Sequence, residues 1–176
     1  SCNRIYYHDG IFRSNGFEIN ASYFIINGGK EINLNNSSIK LLNNFNINKE
    51  AEAVSAINSN FYLNGANSQF YNEGFEFNNI TFSDTNGLKY LSGYGSYNTV
   101  TFNSDAGFTG INNINNLNLA PGCRYTMNKN AAFTINNSFS ASGDCNSFIE
   151  IEHANENDYN SIEYGNANVD MQYCIL

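Results

Sequence analysis

At 176 residues the chain is one domain's length, long enough for a sizeable core. Its net charge of −8, from eight basic and sixteen acidic side chains, excludes the concentrated Lys/Arg surface that nucleic acid or an anionic membrane needs. Asparagine supplies about a fifth of the chain while proline occurs once, but 14 Phe and 12 Tyr at strand spacing argue against disorder, and no stretch nears the ~20 apolar residues of a spanning helix.

In chain order, residues 1–26 hold Ile5-x-Tyr7, Ile11-Phe12, Phe17-x-Ile19 and Tyr23-x-Ile25. Asp9-Gly10, Ser14-Asn15-Gly16 and Asn20 separate them, which predicts short strands and tight turns. Gly28-Gly29-Lys30 is a corner before Ile32-x-Leu34 and Ile39-x-Leu41. Asn48–Ala56 tolerates two helical turns with Asn48 as N-cap. The alternation of Ala53, Ser55 and Ile57 instead favours a strand over 53–57.

Residues 60–176 carry the clearest strand pattern, first in Phe75-x-Phe77 and Ile80-x-Phe82. Tyr90, Tyr94 and Tyr97, interleaved with Gly93 and Gly95, mark a wider or more irregular side. Leu117-x-Leu119 leads into the turn Pro121-Gly122, then Tyr125-x-Met127, Phe133-x-Ile135, Phe139-x-Ala141 and Ile149-x-Ile151. No run has the spacing of an amphipathic helix.

One signature, apolar-x-apolar, recurs as Phe45/Ile47, Phe61/Leu63, Ile80/Phe82, Val100/Phe102, Leu117/Leu119, Phe139/Ala141 and Ile162/Tyr164. The steps between pairs are uneven, and asparagine precedes most pairs by two places, as at Asn98 and Asn137. A repeat of this kind, made of strands and turns, predicts an all-β solenoid of about eight or nine coils of roughly 16–23 residues each. The coils form a single domain, 1–176. Amides stacked along such an axis hydrogen-bond to their copies above and below, and asparagine tolerates the left-handed conformation that corners need.

Asn115-Asn116-Leu117-Asn118-Leu119-Ala120-Pro121-Gly122 with Tyr125-Thr126-Met127 resembles a module common in large secreted surface proteins of Bacteroidetes. Thr134–Gly143, Cys145-x-x-Phe148-Ile149-x-Ile151 and Val169–Leu176 extend the likeness. Residues 60–114 match more loosely, and residues 1–40 match in composition alone. The resemblance implies a right-handed parallel β-helix of the pectin-lyase-like type, exported to the cell surface as part of a longer protein. It does not imply an enzyme.

Several residues are candidates for function. Cys123 and Cys145 lie about one coil apart, so they face each other as a disulfide or remain two free thiols. No Cys-x-x-Cys spacing supports zinc. Glu150 and Glu152 alternate with Ile149 and Ile151 and point outward. With Asp158 they form either a Ca²⁺ site or, the favoured reading, a solvated acidic face. Paired carboxylates also serve glycoside hydrolysis, but a solenoid stacks them at such distances by accident. His153 reads as a surface partner of Glu152. Tyr90, Tyr94 and Tyr97 form either a sugar-stacking surface or, the preferred reading, an aromatic ladder between coils. The apolar ending Val169, Met171, Tyr173, Ile175 and Leu176 has no polar cap and offers a stacking interface for another module or copy. No enzyme activity and no cofactor are therefore expected. The expected role is a structural, extracellular adhesin, stalk or filament module. The alternatives are a subunit that stacks head-to-tail and a carbohydrate-binding or lyase-like module recognising cell-surface glycan.

Overall fold

The computed structural model describes residues 2–155 and 159–175. Among these there is no helix, and eighteen strands wind into a parallel β-solenoid of about eight coils. The strands are β1 (Cys2–Tyr7), β2 (Ile11–Arg13), β3 (Glu18–Ile26), β4 (Glu31–Asn33), β5 (Ser38–Leu41) and β6 (Phe45–Ile47). Then follow β7 (Val54–Ser55), β8 (Asn60–Leu63), β9 (Gln69–Phe82), β10 (Lys89–Phe102), β11 (Ala106–Phe108) and β12 (Ile111–Leu119). The last are β13 (Arg124–Met127), β14 (Ala132–Ser142), β15 (Ile149–His153), β16 (Ser161–Tyr164), β17 (Asn168–Gln172) and β18 (Cys174–Ile175).

Each coil has three sides. On the first, one file of paired positions runs Ile19, Ile39, Phe61, Ile80, Val100, Leu117, Phe139, Val169. Five of the seven predicted pairs stand in this file. The other two do not. Phe45/Ile47 lies on the second side, stacked between Phe24/Ile26 and Phe70/Asn72. Ile162/Tyr164 lies on the third, over Phe133/Ile135. Ile39/Leu41 and Val169/Met171 also stand in the first-side file. All three sides bear the same apolar-x-apolar pattern, so spacing alone cannot tell one from another. The last step, Phe139 to Val169, is the longest in the file and exceeds the expected coil length.

Inward residues form one apolar core along all coils, and rings are its main filling. Phe45 touches Phe24, Phe61, Phe70 and Phe77 at centroid distances of 4.7–5.6 Å. Further along, Phe82 stacks on Phe102 at 4.5 Å, and Phe108 meets Phe102 and Phe133. Such pairs add ~0.5–1.5 kcal/mol each beyond the area they bury.

Asparagines do two structural jobs. A ladder climbs the edge of the first side: Asn79 Nδ2 donates to Asn60 Oδ1 at 2.9 Å, Asn98 Nδ2 to Asn79 Oδ1 at 3.1 Å, and Asn137 Nδ2 to Asn116 Oδ1 at 2.6 Å. Corners use the left-handed conformation at Asn15, Asn36, Asn58 and Asn130, with φ between 52° and 59°. The Asn48 region forms no helix; Asn48 Oδ1 accepts from Glu50 N at 3.1 Å, turning the chain before Ala51 bridges Gly29.

The third side is interrupted. β2, β4 and β7 make a separate three-stranded sheet, and no pairing joins β7 to β9. β9 satisfies its bend internally: buried Asn72 accepts from Phe75 N at 3.0 Å and donates to Phe75 O at 2.8 Å.

Replacing Phe45 by Ala removes the ring that four others touch. We expect a loss of about 3–5 kcal/mol in chemical denaturation, against under about 1.5 kcal/mol for Phe45→Leu if the neighbouring rings close up.

Candidate functional site

The three tyrosines of the irregular side do not share a surface. Tyr97 is 3% exposed, with its ring 6.0 Å from that of Phe70 and its hydroxyl 3.2 Å from Asn72 Nδ2. Burial drives its pKa upward. Tyr97 is thus a core ring and is withdrawn from the sugar-facing set. Alternation along β10 accounts for this: Tyr97 shares the inward parity of Lys89 and Leu91, while Tyr90 and Tyr94 stand on the opposite one. Tyr90 lies outward across Gly107, where a Cβ would come within 2.7 Å of its ring, so only glycine fits beneath it. Tyr94 is 48% exposed and lies over Gly74. Beside it Tyr71 donates to Glu73 Oε1, while Glu73 Oε2 accepts from Lys49 N at 2.9 Å. That bond to Glu73 is the main reason the Tyr71 hydroxyl is pushed up to about 12.

The acidic strand points outward as expected, and its carboxylates have partners on the coil below. Arg124 Nε lies 2.8 Å from Glu150 Oε2 and 3.8 Å from Glu152 Oε1, and Thr126 Oγ1 donates to Glu152 at 3.2 Å. Arg124 N also donates to Asp105 Oδ1 at 2.8 Å. Asp158 lies outside the described residues, as does Leu176 of the apolar ending. Among the described residues, no three His, Cys, Asp or Glu side chains are grouped to hold a metal ion. His153 faces Asn160 rather than Glu152, with Nδ1 3.0 Å from Asn160 Nδ2. Asn160 also donates to Met127 O and accepts from Ala131 N, fastening the returning loop.

Cys123 and Cys145 are free thiols, which corrects the disulfide reading. The coil here is longer than the cysteine spacing, because Arg124, next after Cys123, pairs with Glu150. Cys145 therefore falls in the exposed turn Asp144–Ser147, short of the position stacked on Cys123. Cys174 pairs with Ile149, and its Sγ donates to Ala141 O at 2.7 Å. Burial raises the pKa of both the Cys123 and Cys174 thiols, which lowers their thiolate fraction.

Of the apolar ending, Val169, Tyr173 and Ile175 are exposed, and Met171 packs partly against the core. Shallow grooves mark two places on the surface. One follows the unpaired gap of the third side, between Val54–Asn58 and Glu76–Asn78. Another lies by Asp105, Arg124, Phe148 and Ile175.

The residue that sequence reading passed over is Lys89. It is 0% exposed, and its ammonium donates to Gly65 O and Ala66 O at 2.8 Å each and to Asn86 O. Burial lowers its pKa, opposed by Asp84. The cue was available: Lys89 precedes Leu91 by two and so shares its inward parity. Three donors meet three carbonyls, clasping adjacent corners.

Lys89→Met leaves those carbonyls without a donor, and we expect a loss of about 2 kcal/mol or more in denaturant melts. A second outcome concerns acid. The Glu31 carboxyl is held below its ordinary range by its bond from Arg13, that of Glu18 by Asn20 and Lys40, and that of Glu73 by Tyr71. Folded values below unfolded ones give stability that is present above an unfolded pKa of ~4.3 and lost as pH falls through the folded values. Melting temperature should therefore hold steady from neutral pH to about 5 and fall below that. Glu31→Gln should flatten part of the slope.

Against known proteins, no family model matches the chain, and neither a curated protein nor a solved structure does.

Proposed function

We propose that the chain is a structural module, a rigid solenoid segment of an extracellular or cell-surface adhesin, stalk or filament. The observation that carries this reading is the continuity of the stack. One core runs through all coils, while outside it amide ladders and ion pairs link each coil to the next. Such a stack transmits force along its axis without a hinge, because each coil is bonded to its neighbours through many strands. The reading includes the finer likeness to right-handed, pectin-lyase-like modules of secreted Bacteroidetes proteins, and with it export from the cell. It assigns the module no catalytic step.

Lys40 and Ser140 stand five coils apart in one outward file that passes through Tyr62, Thr81, Thr101 and Asn118. Five steps correspond to ~24 Å. Spin labels at these two positions, in a chain with Cys2, Cys123, Cys145 and Cys174 changed to Ser, should report one narrow distance near that value plus the label arms. A broad distribution would remove the rigid-spacer reading. A glycan array should stay at background; a sugar bound specifically, and lost on Tyr94→Ala, would replace the spacer reading with glycan recognition.

A further inference from the structure

Asparagine followed by glycine is the pairing most prone to deamidation, because a residue without Cβ lets its backbone nitrogen reach the asparagine Cγ. The sequence has four such pairs: Asn15-Gly16, Asn27-Gly28, Asn64-Gly65 and Asn86-Gly87. All four stand at corners between strands. Stacking holds the glycines there. A Cβ on Gly65 would come within 1.5 Å of Leu42 O, and one on Gly87 within 2.0 Å of Ala66 O. Both oxygens belong to the main chain of the coil below, so no larger residue fits after Asn64 or Asn86 unless that backbone moves.

Ring closure needs an accessible amide, a side chain able to turn, and a backbone that brings the next nitrogen beside it. Three pairs lack one of these. Asn15 holds φ 52°, the left-handed conformation, whose ψ sets Gly16 N anti to the side chain across the Cα–C bond. Asn27 is half-buried and Gly28 buried, with His8 O 2.6 Å from where its Cβ would stand. Asn86 donates from both N and Nδ2 to Asp84 Oδ1, at 2.6 and 3.2 Å, which ties its amide back to the preceding residues. Asn64 has no such restraint. It is exposed, its φ lies outside the left-handed region, and among the described residues no hydrogen bond holds its side chain.

We propose that Asn64 is a self-modification site, converting to aspartate and isoaspartate in the folded solenoid ahead of the other three asparagines. Gly65 N loses its proton to solvent base and bonds to Asn64 Cγ. The Cγ–Nδ2 bond breaks, ammonia takes up a proton and leaves, and a five-membered succinimide closes. Water then opens the ring. Cleavage at Cγ gives aspartate, and cleavage at the main-chain carbonyl gives isoaspartate, so the sum is amide plus water to acid plus ammonia. The isoaspartyl product routes the main chain through Cβ, one carbon longer, directly before Gly65. Gly65 O accepts from Lys89 Nζ at 2.8 Å, so this product displaces one of the carbonyls that hold the buried ammonium. The modified corner is therefore also a loosened clasp.

The test is peptide mass mapping of the 176-residue chain after incubation in heavy-oxygen water at mildly alkaline pH, folded and in urea. We expect label and isoaspartate at residue 64 first in the folded chain, with Asn15, Asn27 and Asn86 behind by about 10-fold or more. In urea the four should react at similar rates, because the corners no longer differ. Asp84→Ala releases the Asn86 amide and should bring its rate towards that of Asn64. Asn64→Gln should remove the labelling at 64, and an aged chain rich in isoaspartate should melt below a fresh one. Labelling that another site leads, or that is spread evenly in the folded chain, overturns the inference. So does an intact Asn64 in the folded chain once the unfolded chain has reacted.

Discussion

Parallel stacking in register is the constraint from which the rest of this structure follows. Most strands satisfy their backbone with the coil below and the coil above, so neither neighbour can shift by one residue without turning inward side chains outward. Corners are under no such rule. The step from Phe139 to Val169 is far longer than that from Val100 to Leu117, yet both pairs of positions remain matched. Length variation is absorbed where the chain leaves the sheet, and the core keeps its file of Ile, Leu, Val and Phe.

That division explains what could be read from the sequence. The apolar-x-apolar pairs identify strands, and a solenoid follows from their recurrence. Assigning a pair to a side needs a coil length, which the irregular corners hide; hence Phe45/Ile47 and Ile162/Tyr164 fell to the wrong side. The asparagine ladder was legible as a kind of interaction but not as a list of partners. It runs through Asn98 and Asn137, two places before their pairs, but also through Asn79 and Asn116, one place nearer, while Asn115 accepts from Asn136 in a bond of its own.

Side-chain parity was the more useful signal and was underused. It places Lys89 inward with Leu91, where only a ring of carbonyls can receive an ammonium. It also places Tyr97 inward with Leu91, and Tyr90 and Tyr94 outward, but it breaks just beyond, between Tyr97 and Val100, which both point inward. Cys123 and Cys145 show the same limit in another form. Their separation matches an average coil, and the coil they occupy is longer than average.

Charge placement adds a last consequence of stacking. An outward residue on an inner coil has two neighbours in its file, one below and one above, and this chain uses them: three of its ion pairs cross between adjacent coils. An outward residue on an end coil has one. After Lys129 the sequence supplies no Lys or Arg, and among the described residues the ion pairs to the acids of the last coils come from Arg124, bonded to Glu150 and near Glu152. Like charges held ~4.8 Å apart along a file repel. Stacking thus sets what each charge can be matched with: Arg124 reaches both Glu150 and Glu152 because their strand lies on the next coil in register with its own.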